Sequence, residues 1–236
     1  MNGIFSRTER LIGSQALEKL HNTRVMVVGV GGVGSYVAEA LCRAGIGSFV
    51  LVDSDKVDIT NINRQLEATH DTVGKFKCDA MRERMKSINP DADIKTEIIR
   101  VGDGSEPDYT GVDYIADAID CIPAKLLLIK RADELGIKIV SCMGTGNKLD
   151  PTQFRADDIF STHTCPLCRA VRKGVKELGL KHLRVVWSPE PRPDILKTDP
   201  EKRTPASISF VPSSAGLIIA GEIVRDIINR PSCASE

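Results

Sequence analysis

The chain of 236 residues contains no run approaching the roughly 18 apolar residues of a membrane span, so no membrane-crossing helix is expected. It also has no excess charge. Lys plus Arg and Asp plus Glu stand at 32 each, which excludes bulk attraction to nucleic acid or membrane and leaves any such attraction to a local patch. The start, Met1-Asn2-Gly3-Ile4, has no basic stretch leading into an apolar core, so no signal peptide is expected. Internal repeats and low-complexity segments are absent as well. The seven cysteines are odd in number and scattered, which does not suit a disulfide framework. Cys42, Cys121 and Cys142 lie inside apolar runs, the usual setting of small buried hydrophobes. Together these features predict a cytoplasmic protein with reduced thiols.

What remains is the composition of an ordinary globular protein, 42% apolar and 27% charged, long enough for one large α/β domain or two small ones. Strand-like apolar runs alternate with helical stretches. Residues 24–29 (RVMVVG) read as a buried strand, and Tyr36 to Ala44 as a helix closed by Gly45. Phe49 to Val52 is a second strand. Thr72 to Ile88 reads as a helix that stops before Asn89-Pro90. Further strands are predicted at Ile94 to Ile99, Tyr114 to Ile119 and Ile137 to Cys142, with a helix over Lys125 to Leu135 introduced by Pro123. This alternation predicts a Rossmann-like, doubly wound, mostly parallel α/β sheet. The pattern blurs after about Asp150, where an α+β extension is expected. Pro189 to Pro205 reads as an exposed loop, Ser207 to Val211 as a strand and Ala215 to Ile228 as an apolar helix.

Gly29-Val30-Gly31-Gly32-Val33-Gly34 fits G-x-G-x-x-G between a strand and a helix. Such glycines let the backbone turn tightly and approach a ligand, while the helix start offers free N–H groups to negative charge. Asp53 closes the second strand, where an acid can take ribose hydroxyls. Taken alone these features suit NAD. The next segment, DSDKVDITNINRQ, argues otherwise by placing Asp55, Asn61, Arg64 and Gln65 just past the strand end, with Lys77 and Asp120 at the same sheet edge. A hydride-transfer site has little use for these cations and extra carboxylates. A triphosphate needs the cations, and a carboxylate can hold Mg²⁺. Asp55 and Asp58 can equally be solvated loop acids, and Lys75 an exposed neighbour of Lys77.

With these motifs in order, namely R-x-x-R (Arg7, Arg10), GVGGVGS, DSDKVDITNINRQ, GKFK and the Asp120 strand end, the chain resembles the E1-like adenylating superfamily. The resemblance implies that ATP is the nucleotide and that Asp53 holds its ribose. It further implies that Asn61, Arg64 and Lys77 meet the phosphates, that Asp120 organises Mg²⁺, and that Arg10 reaches into the neighbouring subunit of a homodimer. Sulfur-carrier activators of the superfamily carry two C-x-x-C pairs for zinc. This sequence has one, Cys165-Pro166-Leu167-Cys168. His163 and Cys233 complete a Cys₃His set on paper, but free thiols in a turn leading into a helix are the favoured reading.

The second half resembles one branch, the tRNA threonylcarbamoyladenosine dehydratases, through GTGNKLDPTQFRADDIFSTHTCPLCRAVRK, VVWSPEPR and SISFVPSSAGLIIAGEIVRDII. The resemblance implies an ATP-dependent cyclisation of N6-threonylcarbamoyladenosine beside the tRNA anticodon, through an acyl adenylate. Adenylation of a ubiquitin-like sulfur carrier is the alternative, and a sulfur-transfer partner stays open. In that branch a small residue stands where this chain has Cys168, which leaves a covalent role for Cys165 undecided. The whole chain, 1–236, then reads as one adenylating domain with a nucleotide-binding half at 24–150 and a tRNA-facing half at 151–236. Arg169, Arg172, Lys173 and Lys176 recur at three- and four-residue spacing and are expected to share a helix face that holds the tRNA backbone. Trp187 suits either the core or stacking on a base.

Overall fold

The first strand, β1 (Arg24–Val28), is apolar on both faces and buried from Val25 onward, as a central parallel strand must be. β2 (Ser48–Val52) and β3 (Asp93–Glu97) pair with it in turn on one side. β4 (Tyr114–Asp117) and β5 (Lys138–Cys142) follow on the other, all of them parallel. β6 (Arg155–Asp158) and β7 (Arg184–Trp187) extend the same sheet, giving the order β3-β2-β1-β4-β5-β7-β6 with only β6 antiparallel. The computed structural model describes residues 3–102, 104–191 and 205–229.

Alternate residues of each strand feed opposite faces. Val25 and Val27 face a core shared with α3 (Gly34–Ala44), α4 (Lys77–Ile88) and α7 (Phe210–Ile228). Met26 and Val28 instead meet Ala124, Leu128 and Ala132 of α5 (Ile122–Glu134). α6 (Pro166–Glu177) packs Val171 and Val175 beside Ile129, Val185 and Trp187. Two short helices, α1 (Ser6–Ile12) and α2 (Ser14–His21), precede the sheet and had no counterpart in the sequence reading. Among the described residues, no helix is long and apolar enough to cross a membrane.

Several expected elements shift. The helix predicted from Thr72 begins at Lys77, because residues 72–75 form a turn in which the Thr72 hydroxyl donates to the backbone of Glu67. The strand predicted at Ser207 to Val211 does not form. Phe210 and Val211 open α7 instead, since Val211 and Ala215 continue its buried stripe at helical spacing. Cys121 is exposed beyond the end of β4, whereas Cys42 and Cys142 are buried as predicted. Most of the loop predicted at Pro189 to Pro205 lies outside the described residues, as does Cys233.

Candidate functional site

β1 and β4 are neighbours whose outgoing connections diverge to opposite faces, and ligands of such sheets bind at the carboxyl edge of this switch point. The glycine loop leaves β1 there. Gly29 has φ of +87°, and a Cβ on it would lie 2.9 Å from the Ala118 carbonyl oxygen beyond β4. A Cβ on Gly34 would stand 1.8 Å from the Gly29 oxygen, so this turn closes only with glycine at both ends. Gly31 and Gly32 remain half-exposed at the crest. Gln65 lies over Gly31, and Arg64 and Pro212 of α7 lie over Gly32.

Asp53 follows β2 and ties the loop to it. Its Oδ2 accepts the Val30 N–H at 2.7 Å and its Oδ1 the Asp55 N–H at 2.8 Å. Burial pushes the Asp53 carboxyl up, opposed by those N–H groups and by the Lys77 charge. Asn61 is held in a capping box with Asp58, which also accepts the Thr60 N–H at 2.8 Å. Arg64 folds along this turn, donating to the Thr60 carbonyl at 2.9 Å and to Asn63 Oδ1 at 2.8 Å. Lys77, the first residue of α4, is buried at 7% exposure and donates to Asp55 Oδ2 at 2.8 Å. Lys75 points outward to Glu83. The structure thus brings Asp53, Asp55, Asn61, Arg64 and Lys77 to one edge around the glycine loop. Asp120 is exposed three residues past β4, on the same edge. Arg7 and Arg10 sit on α1 with exposed side chains.

Two buried groups here escaped the sequence reading. Glu67 is 2% exposed, and neither carboxyl oxygen has a hydrogen-bonding partner. Burial pushes its carboxyl up to about 7, against the pull of the nearby Lys77 charge. Lys125 and Asp117 form an ion pair of 2.7 Å with both side chains fully buried. Lys125 Nζ also donates to the Cys142 carbonyl at 3.0 Å, and the Ser141 hydroxyl donates to Asp117. This cluster clamps the ends of β4 and β5 to the first turn of α5. The available signal was a lysine inside the apolar run PAKLLLI, eight residues after an aspartate that closes a strand.

The basic face of α6 needs one correction. Arg169, Lys173 and Lys176 are exposed, but Arg172 turns inward and donates to the Thr162 carbonyl at 2.6 Å and to its hydroxyl at 3.0 Å. Residue 172 lies one helical turn after the buried Cys168, at the border of the apolar stripe. Trp187 is also a core residue, 1% exposed, with its indole N–H on Asp157 and its ring edge-on to His163. It is not available for base stacking. Among the described residues, no three His, Cys, Asp or Glu side chains converge to hold a metal ion.

The chain is 43% identical to the tRNA threonylcarbamoyladenosine dehydratase of Bacillus subtilis, over 95% of this chain and 94% of that one. Its fold superposes on the Escherichia coli tRNA N6-threonylcarbamoyladenosine dehydratase TcdA, solved in complex with ATP, with a TM-score of 0.84 and 32% identity over 95% of this chain and 93% of that one. A structure of Escherichia coli MccB with ATP has the same fold at 19% identity and a TM-score of 0.66, over 97% of this chain and 64% of that one. Residues 5–235 match the ThiF family. The chain therefore belongs to the ThiF family.

Proposed function

We propose that this protein is an ATP-dependent tRNA threonylcarbamoyladenosine dehydratase. The observation that carries the reading is the near full-length similarity to the Bacillus subtilis enzyme of that name, joined to an intact nucleotide edge. ATP is consumed and is therefore a substrate. The threonyl carboxylate attacks the α-phosphorus, pyrophosphate leaves, and the carboxylate becomes an acyl adenylate. An atom of the same modified base then attacks the acyl carbon and expels AMP, which carries away the oxygen of the lost water. Both reacting groups sit on one base, so ring closure has the advantage of proximity and no protein nucleophile is required.

In this reading Gly29, Gly31, Gly32 and Gly34 bring backbone N–H groups to the phosphates, and Asp53 takes the ribose hydroxyls. Arg64 and Lys77 neutralise the phosphates and the departing pyrophosphate, with Asn61 and Asp55 fixing their approach. Asp120 suits Mg²⁺. It is a single exposed carboxylate beside the phosphate loop, and Mg²⁺ typically takes one or two carboxylates with substrate phosphates and water. The metal would supply charge neutralisation on the triphosphate. Arg10, exposed on α1, extends toward the site of a second copy in a homodimer. Arg169, Lys173 and Lys176 line the tRNA-facing half, 151–236, against the nucleotide-binding half, 24–150. A cytoplasmic location accords with a tRNA substrate.

The test is nucleoside mass spectrometry of tRNA carrying linear threonylcarbamoyladenosine after incubation with the protein, ATP and Mg²⁺. The modified nucleoside should lose the mass of one water while AMP and pyrophosphate appear. An unchanged mass, with AMP formed only when a Gly-Gly-ending carrier is added, would transfer the protein to carrier adenylation.

A further inference from the structure

Cys165 and Cys168 play no part in the reaction above, yet their surroundings are specialised. Thr164, just before the pair, holds φ of +63°, a left-handed conformation that a β-branched residue rarely adopts. That turn, closed by the Cys165 N–H donating to the His163 carbonyl at 2.6 Å, makes Cys165 the N-cap of α6. The Cys165 sulfur lies beside the Cys168 thiol and the backbone N–H groups of Leu167, Cys168 and Gly144, and both cysteines pack in one buried cluster. Gly144 belongs to the segment after β5 and approaches so closely that a Cβ there would lie 3.5 Å from Cys165 Sγ. Cys165 keeps a small exposed edge, 7%, whereas Cys168 is wholly enclosed.

These contacts have a chemical result. The neighbouring Cys168 thiol and the polar N–H groups around it draw the Cys165 thiol down to about 5 despite burial, while Cys168 is pushed upward. A third thiol, Cys142, is pushed up to about 12 by burial and is inert as a nucleophile.

We infer that Cys165 and Cys168 form a dithiol redox site that reacts with small-molecule disulfides, Cys165 attacking and Cys168 resolving. The Cys165 thiolate attacks one sulfur of the disulfide, forming a mixed disulfide and expelling one thiolate. The Cys168 sulfur then gives up its proton and attacks Cys165 Sγ, expelling the second thiolate. The protein loses two electrons and two protons, and the small disulfide becomes two thiols. The C-x-x-C spacing and the helix start are those that favour such exchange.

The test uses the full chain with Cys121 and Cys233 replaced by serine, treated with 2-hydroxyethyl disulfide and, separately, oxidised glutathione. Intact mass should fall by two hydrogens, and peptide mapping should join Cys165 to Cys168. Cys168→Ser should instead retain the small thiol on Cys165, and Cys165→Ser should retain none. Between about pH 8 and about pH 6 the rate should fall only a few-fold, whereas an ordinary thiol would lose roughly two orders of magnitude. Reaction with 2-hydroxyethyl disulfide alone would restrict the site to the smaller partner. A bond from Cys165 to Cys142, a mixed disulfide that persists on Cys165 with Cys168 present, or no reaction of the full chain with either disulfide would overturn the inference. The last three outcomes are read without the Cys165 or Cys168 variants, so they do not depend on those variants folding.

Discussion

Lys77 Nζ lies 2.8 Å from Asp55 Oδ2, yet the lysine is almost fully buried and the aspartate is largely exposed. In the proposed reading this pairing presents a preorganised cation to the phosphates, with a partner that can yield to an incoming triphosphate. Lys77→Met should therefore reduce AMP formation by about 10²- to 10³-fold, the usual cost of deleting one group that stabilises transition-state charge. Single-turnover measurement of AMP release checks this. A loss smaller than tenfold in a folded variant would remove Lys77 from the phosphate site.

The Lys125–Asp117 pair should matter for stability before it matters for chemistry. Removing one partner leaves the other as an uncompensated buried charge, so Lys125→Met should cost on the order of 3–5 kcal/mol. Adding Asp117→Leu to that variant should return much of the loss. Urea unfolding of the two variants against the parent decides it, and equal instability of single and double variants would contradict the account.

Glu67 makes stability depend on pH. Its folded pKa, about 7, lies above its ordinary value of 4.5, so between those values the folded protein binds more protons than the unfolded chain. Stability from this group is full below about 4.5 and declines as pH rises through about 7, by on the order of 3 kcal/mol. Glu67→Gln, neutral throughout, should flatten that part of the stability profile. A profile unchanged by the substitution would show that the carboxyl is solvated.

If Arg10 acts across a dimer, Arg10→Ala and Lys77→Ala proteins should each be inactive alone. Mixed under conditions of subunit exchange, they should regain part of the activity, because some mixed dimers contain one intact site. Exchange demonstrated by mass spectrometry with no regained activity would place Arg10 outside the neighbour's site.

Charge reversal at Arg169 and Lys173 should weaken tRNA binding across all tRNAs and leave ATP affinity unchanged. Each lost phosphate contact should lower the salt dependence of log K by roughly 0.7 to 0.9. Arg172→Glu should act differently, by freeing the Thr162 segment that Arg172 holds, and its main effect should appear in the melting temperature.

The sequence by itself determined the five parallel strands β1 to β5 and the glycine loop, because both are written in local signals, whereas β6 and β7 fall where the pattern blurs after Asp150. Short apolar runs ending in glycine or aspartate, spaced by helices, specify parallel strands, and the GVGGVG loop can close only where a strand meets a helix. The place of Asp53, Asn61 and Arg64 past the end of β2 was legible for the same reason, whereas Lys77 reaches Asp55 as the first residue of α4. The tertiary structure alone decided what each side chain faces once helices dock. Arg172 shares helical spacing with Arg169 and Lys176 but is drawn to Thr162, and Val211 became helical because its burial against the sheet outweighs its strand propensity. Lys125 meets Asp117, and Gly144 meets Cys165, only through the packing of segments far apart in the chain. Burial and pairing at such points depend on distance in space, which spacing along a sequence does not encode.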